Sequence, residues 1–186
     1  MNKHYLLLPL IFLFVACNKY SDEPEFSITQ DTQTGANTLS FRADGQVFQP
    51  YGRRCFGYGG GPCIEEPLKA YYNSQRGQFR ITAFLTTKNR TEHFSLDCDS
   101  LFRPGATGFQ QQNSRTPAGL GYSADGLNYG TAVPIQTIIN ITRFDTVAHI
   151  ISGTFSGNLK GLLQGATTQK QVVSITEGRF DIRYTK

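Results

Sequence analysis

Gly178-Arg179-Phe180-Asp181-Ile182-Arg183-Tyr184-Thr185 decides the fold class. Phe180, Ile182 and Tyr184 recur with a period of two, and Arg179, Asp181 and Arg183 fill the positions between them. A strand sends alternate side chains to opposite faces, so the apolar trio is expected to face a core and the charged trio to face outward. Just upstream, Val172, Val173 and Ile175 do not keep that parity, which places a bulge or break at Gly178.

The same alternation recurs through the chain from residue 38. Leu39, Phe41 and Ala43 share a face, then Asp44-Gly45 turns the chain into Val47 and Phe48. Phe79, Ile81, Ala83 and Leu85 alternate with polar neighbours, and Phe94 and Leu96 follow the turn Lys88-Asn89-Arg90. Asp125-Gly126 is a strong hairpin signal between Tyr122 and Tyr129. Ile135, Thr137, Ile139 and Ile141 are expected on one face, and Val147, His149, Ile151, Gly153, Phe155 and Leu159 on another. No window of 12 residues carries a helical period. The 186 residues include 19 Gly, 14 Phe and 9 Tyr but no Trp, which suits a turn-rich β protein better than a helical bundle. The expectation is an all-β, antiparallel β-sandwich of about nine or ten short strands, with a closed or partly open β-barrel as the alternative.

Three segments carry a resemblance. They are Arg103-Pro104-Gly105-Ala106-Thr107-Gly108-Phe109, then Ile141-Thr142-Arg143-Phe144-Asp145 leading to Ile151-Ser152-Gly153-Thr154-Phe155-Ser156, and finally Ile175-Thr176-Glu177-Gly178-Arg179-Phe180-Asp181. In this order they resemble a group of small Bacteroidota lipoproteins with an uncharacterised β domain bearing "SGTFS" and "TEGRFD" strands near the carboxyl end. The resemblance implies fold and location, and no activity.

The amino terminus speaks to location. Met1-Asn2-Lys3-His4 is basic, and Tyr5 to Val15 is an apolar run of 11 residues. A bilayer span needs about 20, so the run fits the core of a secretory signal. Phe14-Val15-Ala16-Cys17 resembles a bacterial lipobox. That implies cleavage before Cys17 and lipid attachment to it, an anchor whose two or three acyl chains hold a protein at a membrane. Residues 17–37 then read as the lipidated cysteine and a flexible acidic linker, and 38–186 as the β domain. Lys19 followed by Ser21-Asp22-Glu23 resembles an acidic signal for display on the outer face of the outer membrane, a role also expected of Asp22, Glu23 and Glu25 together; the alternative is a periplasm-facing protein with an acidic linker. From Thr32 onward there are 16 basic and 10 acidic residues, a net of +6.

Candidate chemistry is sparse. Cys55, Cys63 and Cys98 remain after the leader, in an oxidising compartment. Cys55 and Cys63 flank Phe56-Gly57-Tyr58-Gly59-Gly60-Gly61-Pro62, a stretch that closes easily, so a Cys55–Cys63 disulfide is expected; a bridge from either to Cys98 is the alternative. Cys98 lies between Asp97 and Asp99, which should raise its thiol pKa and quench its reactivity. There is no C-x-x-C or H-x-H pair for a metal, no G-x-S-x-G, and no phosphate loop. His93 and His149 are the only histidines after the leader. Glu65, Glu66 and Glu92 are the carboxylates that a glycosidase reading would need. No catalytic residue, metal or cofactor is expected.

The Tyr- and Gly-rich stretch from Tyr51 to Tyr72 offers the best recognition surface: Tyr51, Arg53, Arg54, Tyr58, Tyr71 and Tyr72 supply flat rings and planar donors. The absence of Trp argues against broad sugar-stacking platforms, and the dispersed charge argues against nucleic acid. The function expected is therefore a non-enzymatic, lipid-anchored envelope module that binds or scaffolds a protein or glycan partner. An envelope hydrolase and a structural accessory of a surface complex are the alternatives.

Overall fold

The computed structural model describes residues 24–55, 62–64, 66–98, 119–131, 137–161 and 172–186, and none of these is helical. The strands are β1 (Thr38–Ala43), β2 (Gln46–Phe48), β3 (Arg54–Cys55), β4 (Cys63–Ile64), β5 (Leu68–Asn73) and β6 (Gln78–Thr86). They continue as β7 (Thr91–Cys98), β8 (Gly119–Ala124), β9 (Leu127–Gly130), β10 (Thr137–Asp145), β11 (Ile150–Gly161) and β12 (Val172–Arg183).

Ten strands form one antiparallel sheet in the order β2-β1-β12-β11-β9-β8-β7-β6-β5, with β10 also on β11. The long β11 makes the corner: Ile150 to Gly157 pair with β10, while Lys160 and Gly161 pair with β9. From that corner the sheet curls so that β2-β1-β12-β11-β10 faces β9-β8-β7-β6-β5. Two parallel bridges draw the far margins together. The Tyr51 N–H donates to the Phe84 carbonyl at 3.1 Å and Thr86 N–H returns to Tyr51 at 3.0 Å. Thr185 is held to Ala70 and Tyr72 of β5 in the same way, at 3.0 and 2.9 Å. The all-β reading holds, and the curled sheet lies between the sandwich and the barrel.

Local sequence explains the corners. Asp44-Gly45 and Asp125-Gly126 both place two consecutive residues at positive φ (51° and 86°, 52° and 79°), the requirement of a tight hairpin whose twist matches its strands. The core between the two walls is aromatic. Phe41 of β1 meets Phe94 of β7 at 4.7 Å, Phe94 stacks on Phe155 of β11 at 5.0 Å, and Phe79 of β6 stacks on Phe180 of β12 at 6.4 Å.

The final strand turns inward as expected, with Phe180, Ile182 and Tyr184 buried. The parity break is a bulge at Thr176-Glu177, seen in the register of β12 against both β1 and β11, with Glu177 at φ +54°. Gly178 follows it. Gly178 lies opposite Phe155, and Gly153 lies opposite Phe180. A Cβ on Gly178 would sit 2.5 Å from the Phe155 ring, and one on Gly153 would sit 2.8 Å from the Phe180 ring. The two Gly-x-Phe motifs therefore interlock: each glycine leaves the space that the other motif's phenylalanine fills.

Three sequence expectations are corrected. Val147 and His149 do not extend β11 but form the turn before it: Val147 is 92% exposed and His149 takes φ +53°. Asp145 causes this, since its carboxylate accepts the N–H groups of Val147 and Ala148 and so caps a turn where a strand would need those donors outward. Asp181 is on the outer face but is not exposed; it is buried. The cover over it is the third correction, because residues 29–36 are docked on the sheet and do not run free as linker to residue 37. Thr29 bonds Ser40 of β1 at 2.9 Å, Arg179 donates to the Thr29 carbonyl at 3.2 Å, and the Thr34, Gly35 and Ala36 amides converge on the Asp181 carboxylate at 2.8–3.1 Å.

Candidate ligand-binding groove

The six residues expected to form a recognition surface separate in the structure. Tyr72 is a correction: it is buried, with its ring 5.0 Å from Phe144 and 5.5 Å from Tyr184. Neighbours on a strand point to opposite faces, so Tyr71 and Tyr72 cannot both serve one surface. Tyr71 is 47% exposed beside Arg80 at the start of β6. Tyr51, 45% exposed, lies at the other end of β6 against Phe26. Arg53 is exposed. Tyr58 lies outside the described residues.

Arg54 does reach a site. Cys55 and Cys63 are disulfide-bonded across the β3–β4 pair, as expected. The bridge clamps a hairpin over the outer face of β6 and β7, where Arg54 Nη1 meets His93 Nδ1 at 3.3 Å. A guanidinium only donates, so Nδ1 accepts and the imidazole proton sits on Nε2. Burial, then the Arg54 charge, hold the His93 pKa below its ordinary value. The ring is thus neutral at pH 7 and carries a donor at Nε2.

Beneath this hairpin a groove of about 530 Å³ crosses the strands. Its floor is two cross-strand rows. One runs Lys69, Thr82, Ser95, Gly121. The other runs Phe84, His93, Ser123, Asn128. Five strands about 4.8 Å apart give the groove a length of roughly 19 Å. In the low row the Ser95 hydroxyl leans over Gly121, where an added Cβ would lie 2.6 Å from Ser95 Oγ. The rim carries Arg54 on the hairpin side, with Lys69 and Glu66 paired at 3.3 Å at the β5 margin.

The carboxylates weighed for hydrolysis are not gathered here. Glu66 is on this outer rim, whereas Glu92 is buried on the inner face. Glu92 accepts from Tyr122 Oη at 2.8 Å and from Arg90 Nε at 2.7 Å. Burial, then the Glu92 charge, push the Tyr122 phenol far above its ordinary pKa. Glu65 lies outside the described residues. His149 stacks on Tyr184 at 5.4 Å, away from the groove. Cys98 is buried and is not in the disulfide. Among the described residues no three His, Cys, Asp or Glu side chains gather as a metal site, and no helix is long and apolar enough to cross a membrane.

Asp181 is heavily bonded. Besides the three amides it accepts Thr32 Oγ1 at 2.7 Å and Ser152 Oγ at 2.7 Å. Burial alone would raise its pKa, but these donors outweigh burial and hold it far below the usual range. This is a structural anion seat built from the chain's own amides.

Sequence reasoning missed Ser95, Ser123 and Asn128 as groove residues. Their signal was outward parity on adjacent strands, but which residues stand abreast depends on register. Cys17 and the acidic residues Asp22 and Glu23 lie outside the described residues. No protein-family model, no curated protein and no solved structure matches this chain.

Proposed function

We propose that the chain is a lipid-anchored envelope protein, tethered through Cys17, whose β domain is a non-enzymatic binding or scaffold module displayed on the outer face of the outer membrane. The observation that carries the binding part is the groove on the β5–β9 wall, with polar side chains set in two rows under a disulfide-clamped hairpin. Binding fits its chemistry better than hydrolysis does. The imidazole is occupied at Nδ1 by a guanidinium, and Glu66 and Glu92 stand on opposite faces of the sheet.

The anchor rests on the lipobox-like Phe14-Val15-Ala16-Cys17 and on the resemblance to Bacteroidota lipoproteins. Covalent geometry limits Cys17 to about 25 Å from residue 24, at roughly 3.5 Å per extended residue. With residues 29–36 docked on β1 and β12, the domain would sit close to its membrane and not at the end of a long leash.

Two measurements on cells test this. Cys17→Ser should move the protein from the detergent phase to the aqueous phase, and added protease should cleave the wild-type domain in intact cells. A Cys17→Ser protein that partitions like wild type refutes the anchor. A wild-type domain protected until the outer membrane is opened refutes outward display.

A further inference from the structure

We infer that the seam between β5 and the β1–β12 edge captures the carboxyl terminus of an extended peptide, with its carboxylate at Ala70 and Arg183 and its penultimate side chain on an apolar floor. The site shares only Glu66 and Lys69 with the groove across β5–β9 and does not rest on the groove reading.

The seam holds a cleft of about 620 Å³, within the size range of ligand sites. Its lining runs from Gln49 and Pro50, next to the Tyr51 bridge, to Thr185 at the other bridge. The pairing of β5 shows which backbone groups face it. Phe84 N–H donates to the Pro67 carbonyl at 2.9 Å. In the register of β5 on β6, that bond turns the backbone groups of Lys69 and Tyr71 toward β6 and those of Leu68, Ala70 and Tyr72 toward the seam. Thr185 takes two of these, donating to the Ala70 carbonyl at 3.0 Å and accepting from Tyr72 N–H at 2.9 Å. One site further along the same edge, the Leu68 carbonyl and the Ala70 N–H offer the same kind of bridge. Arg183, two residues before Thr185, does not fill it, because its N–H is turned to Asn37 Oδ1 at 2.8 Å. Among the described residues neither the Leu68 carbonyl nor the Ala70 N–H has a partner.

This vacancy has a polarity. A residue that donates to Leu68 and accepts from Ala70 runs parallel to β5, as Thr185 does, so its carboxyl side meets Thr185. Thr185 holds the next bridge, and the incoming chain must therefore end there. Charge agrees. Arg183 lines the cleft, and its guanidinium has no hydrogen bond or ion pair among the described residues. Asn37 spends its amide oxygen on Arg183 N–H and keeps its NH2 group as a donor. Lys69 is paired with Glu66 at 3.3 Å, which leaves Arg183 to select an anion. Together these donors suit a carboxylate and oppose an amino terminus. Side-chain parity completes the fit. The terminal residue stands beside Lys69 and shares its outward face, so the residue before it points inward, onto Leu39, Leu68 and Ile182. Leu39 and Ile182 are buried core residues, and an apolar penultimate side chain suits them.

The test uses the full-length lipoprotein in detergent against immobilised hexapeptides of varied sequence that end in leucyl-serine. Each is presented as the free acid and as the carboxamide, with aspartyl-serine acids for comparison. Leucyl-serine acids should be retained about tenfold or more above their amides and above the aspartyl-serine acids. Arg183→Ala should lower that retention about tenfold or more. So should Ala70→Pro, which deletes an N–H that the β5–β6 ladder does not use. Lys88→Ala removes an exposed charge from the β6–β7 turn and should change retention less than twofold. Thermal melts check folding; where one variant does not fold, the other variant and the acid–amide comparison decide. Acids and amides retained alike overturn the proposal, as does a blank panel. Retention within twofold of wild type in either folded seam variant also overturns it, and so does an equal loss in Lys88→Ala, which would assign the effect to net charge.

Discussion

Asp181→Asn is the sharpest test of how the amino-terminal segment is held. The native carboxylate is buried and accepts Thr32 Oγ1, Ser152 Oγ and the amides of Thr34, Gly35 and Ala36, all within 3.1 Å. Asparagine keeps the shape but removes the charge and turns one oxygen into an N–H group that faces donors. Hydrogen bonds to a charged group contribute about 1.5–3 kcal/mol each, and a buried donor left unsatisfied costs about 1–3 kcal/mol. The sum over five donors overstates the loss, because residues 29–36 can lift away and hydrate their amides. The cost is therefore capped near that of undocking the segment, about 2–4 kcal/mol. For a domain of this size that is roughly 5–15 °C in melting temperature. Hydrogen exchange at Thr34, Gly35 and Ala36 should rise together. The pH dependence has a definite sign. A carboxyl whose folded pKa is depressed contributes stability above its unfolded pKa of about 3.9 and loses it as pH falls through the folded value. The wild-type advantage over Asp181→Asn should thus be constant from neutrality to about pH 5 and shrink below about pH 4. A variant that melts within 1 °C of wild type, with those amides still protected, would refute the reasoning.

Phe180→Ala empties a fully buried site and should cost about 3–5 kcal/mol, while Arg179→Ala removes only one partly exposed bond to Thr29 and should cost under about 1 kcal/mol; urea melts compare them. Gly178→Ala should be strongly destabilising alone because its Cβ would enter the Phe155 ring space, and Phe155→Ala should relieve part of that cost, so a double-mutant cycle should be non-additive by about 0.5–3 kcal/mol. Independent losses would disprove the interlock. His93 has a depressed pKa, so its contribution is complete above its unfolded pKa of about 6.5 and falls as pH drops toward the folded value. His93→Gln should flatten that slope, and titration of the ring by NMR at or above pH 6.5 would contradict the Arg54 contact.

Period-two parity made much of the wall structure legible. It placed Leu39, Phe41, Ile81, Leu96, Phe180 and Ile182 in the core, and Asp-Gly pairs marked two hairpins. Parity also held the answer on Tyr72, which had to oppose Tyr71. Grouping the tyrosines by composition overrode it. The docked segment was hidden for a different reason. Thr32, Thr34 and Gly35 are polar and aperiodic, as a linker is, and their partner Asp181 is almost 150 residues away. One buried carboxylate converts a linker-like stretch into cover, and no local pattern announces that partner. At Val147 and His149 the alternation was genuine, but Asp145 captured the following amides and ended the strand first.

The interlocked Gly153-Thr154-Phe155 and Gly178-Arg179-Phe180 motifs are extended by the Ser152–Asp181 bond. All of these residues stand on the β11–β12 pair. Their inward faces fit glycine to ring in the core, and their outward face supplies the seat for residues 32–36. The motif thus closes this wall and seats residues 32–36. The groove residues Thr82, His93, Ser95, Ser123 and Asn128 stand on the opposite wall, on β6 to β9. Closure of the wall and docking of residues 32–36 thus reside in one half of the curled sheet, and the candidate for recognition in the other. The motif can then set the architecture while recognition is left to the strands from β5 to β9.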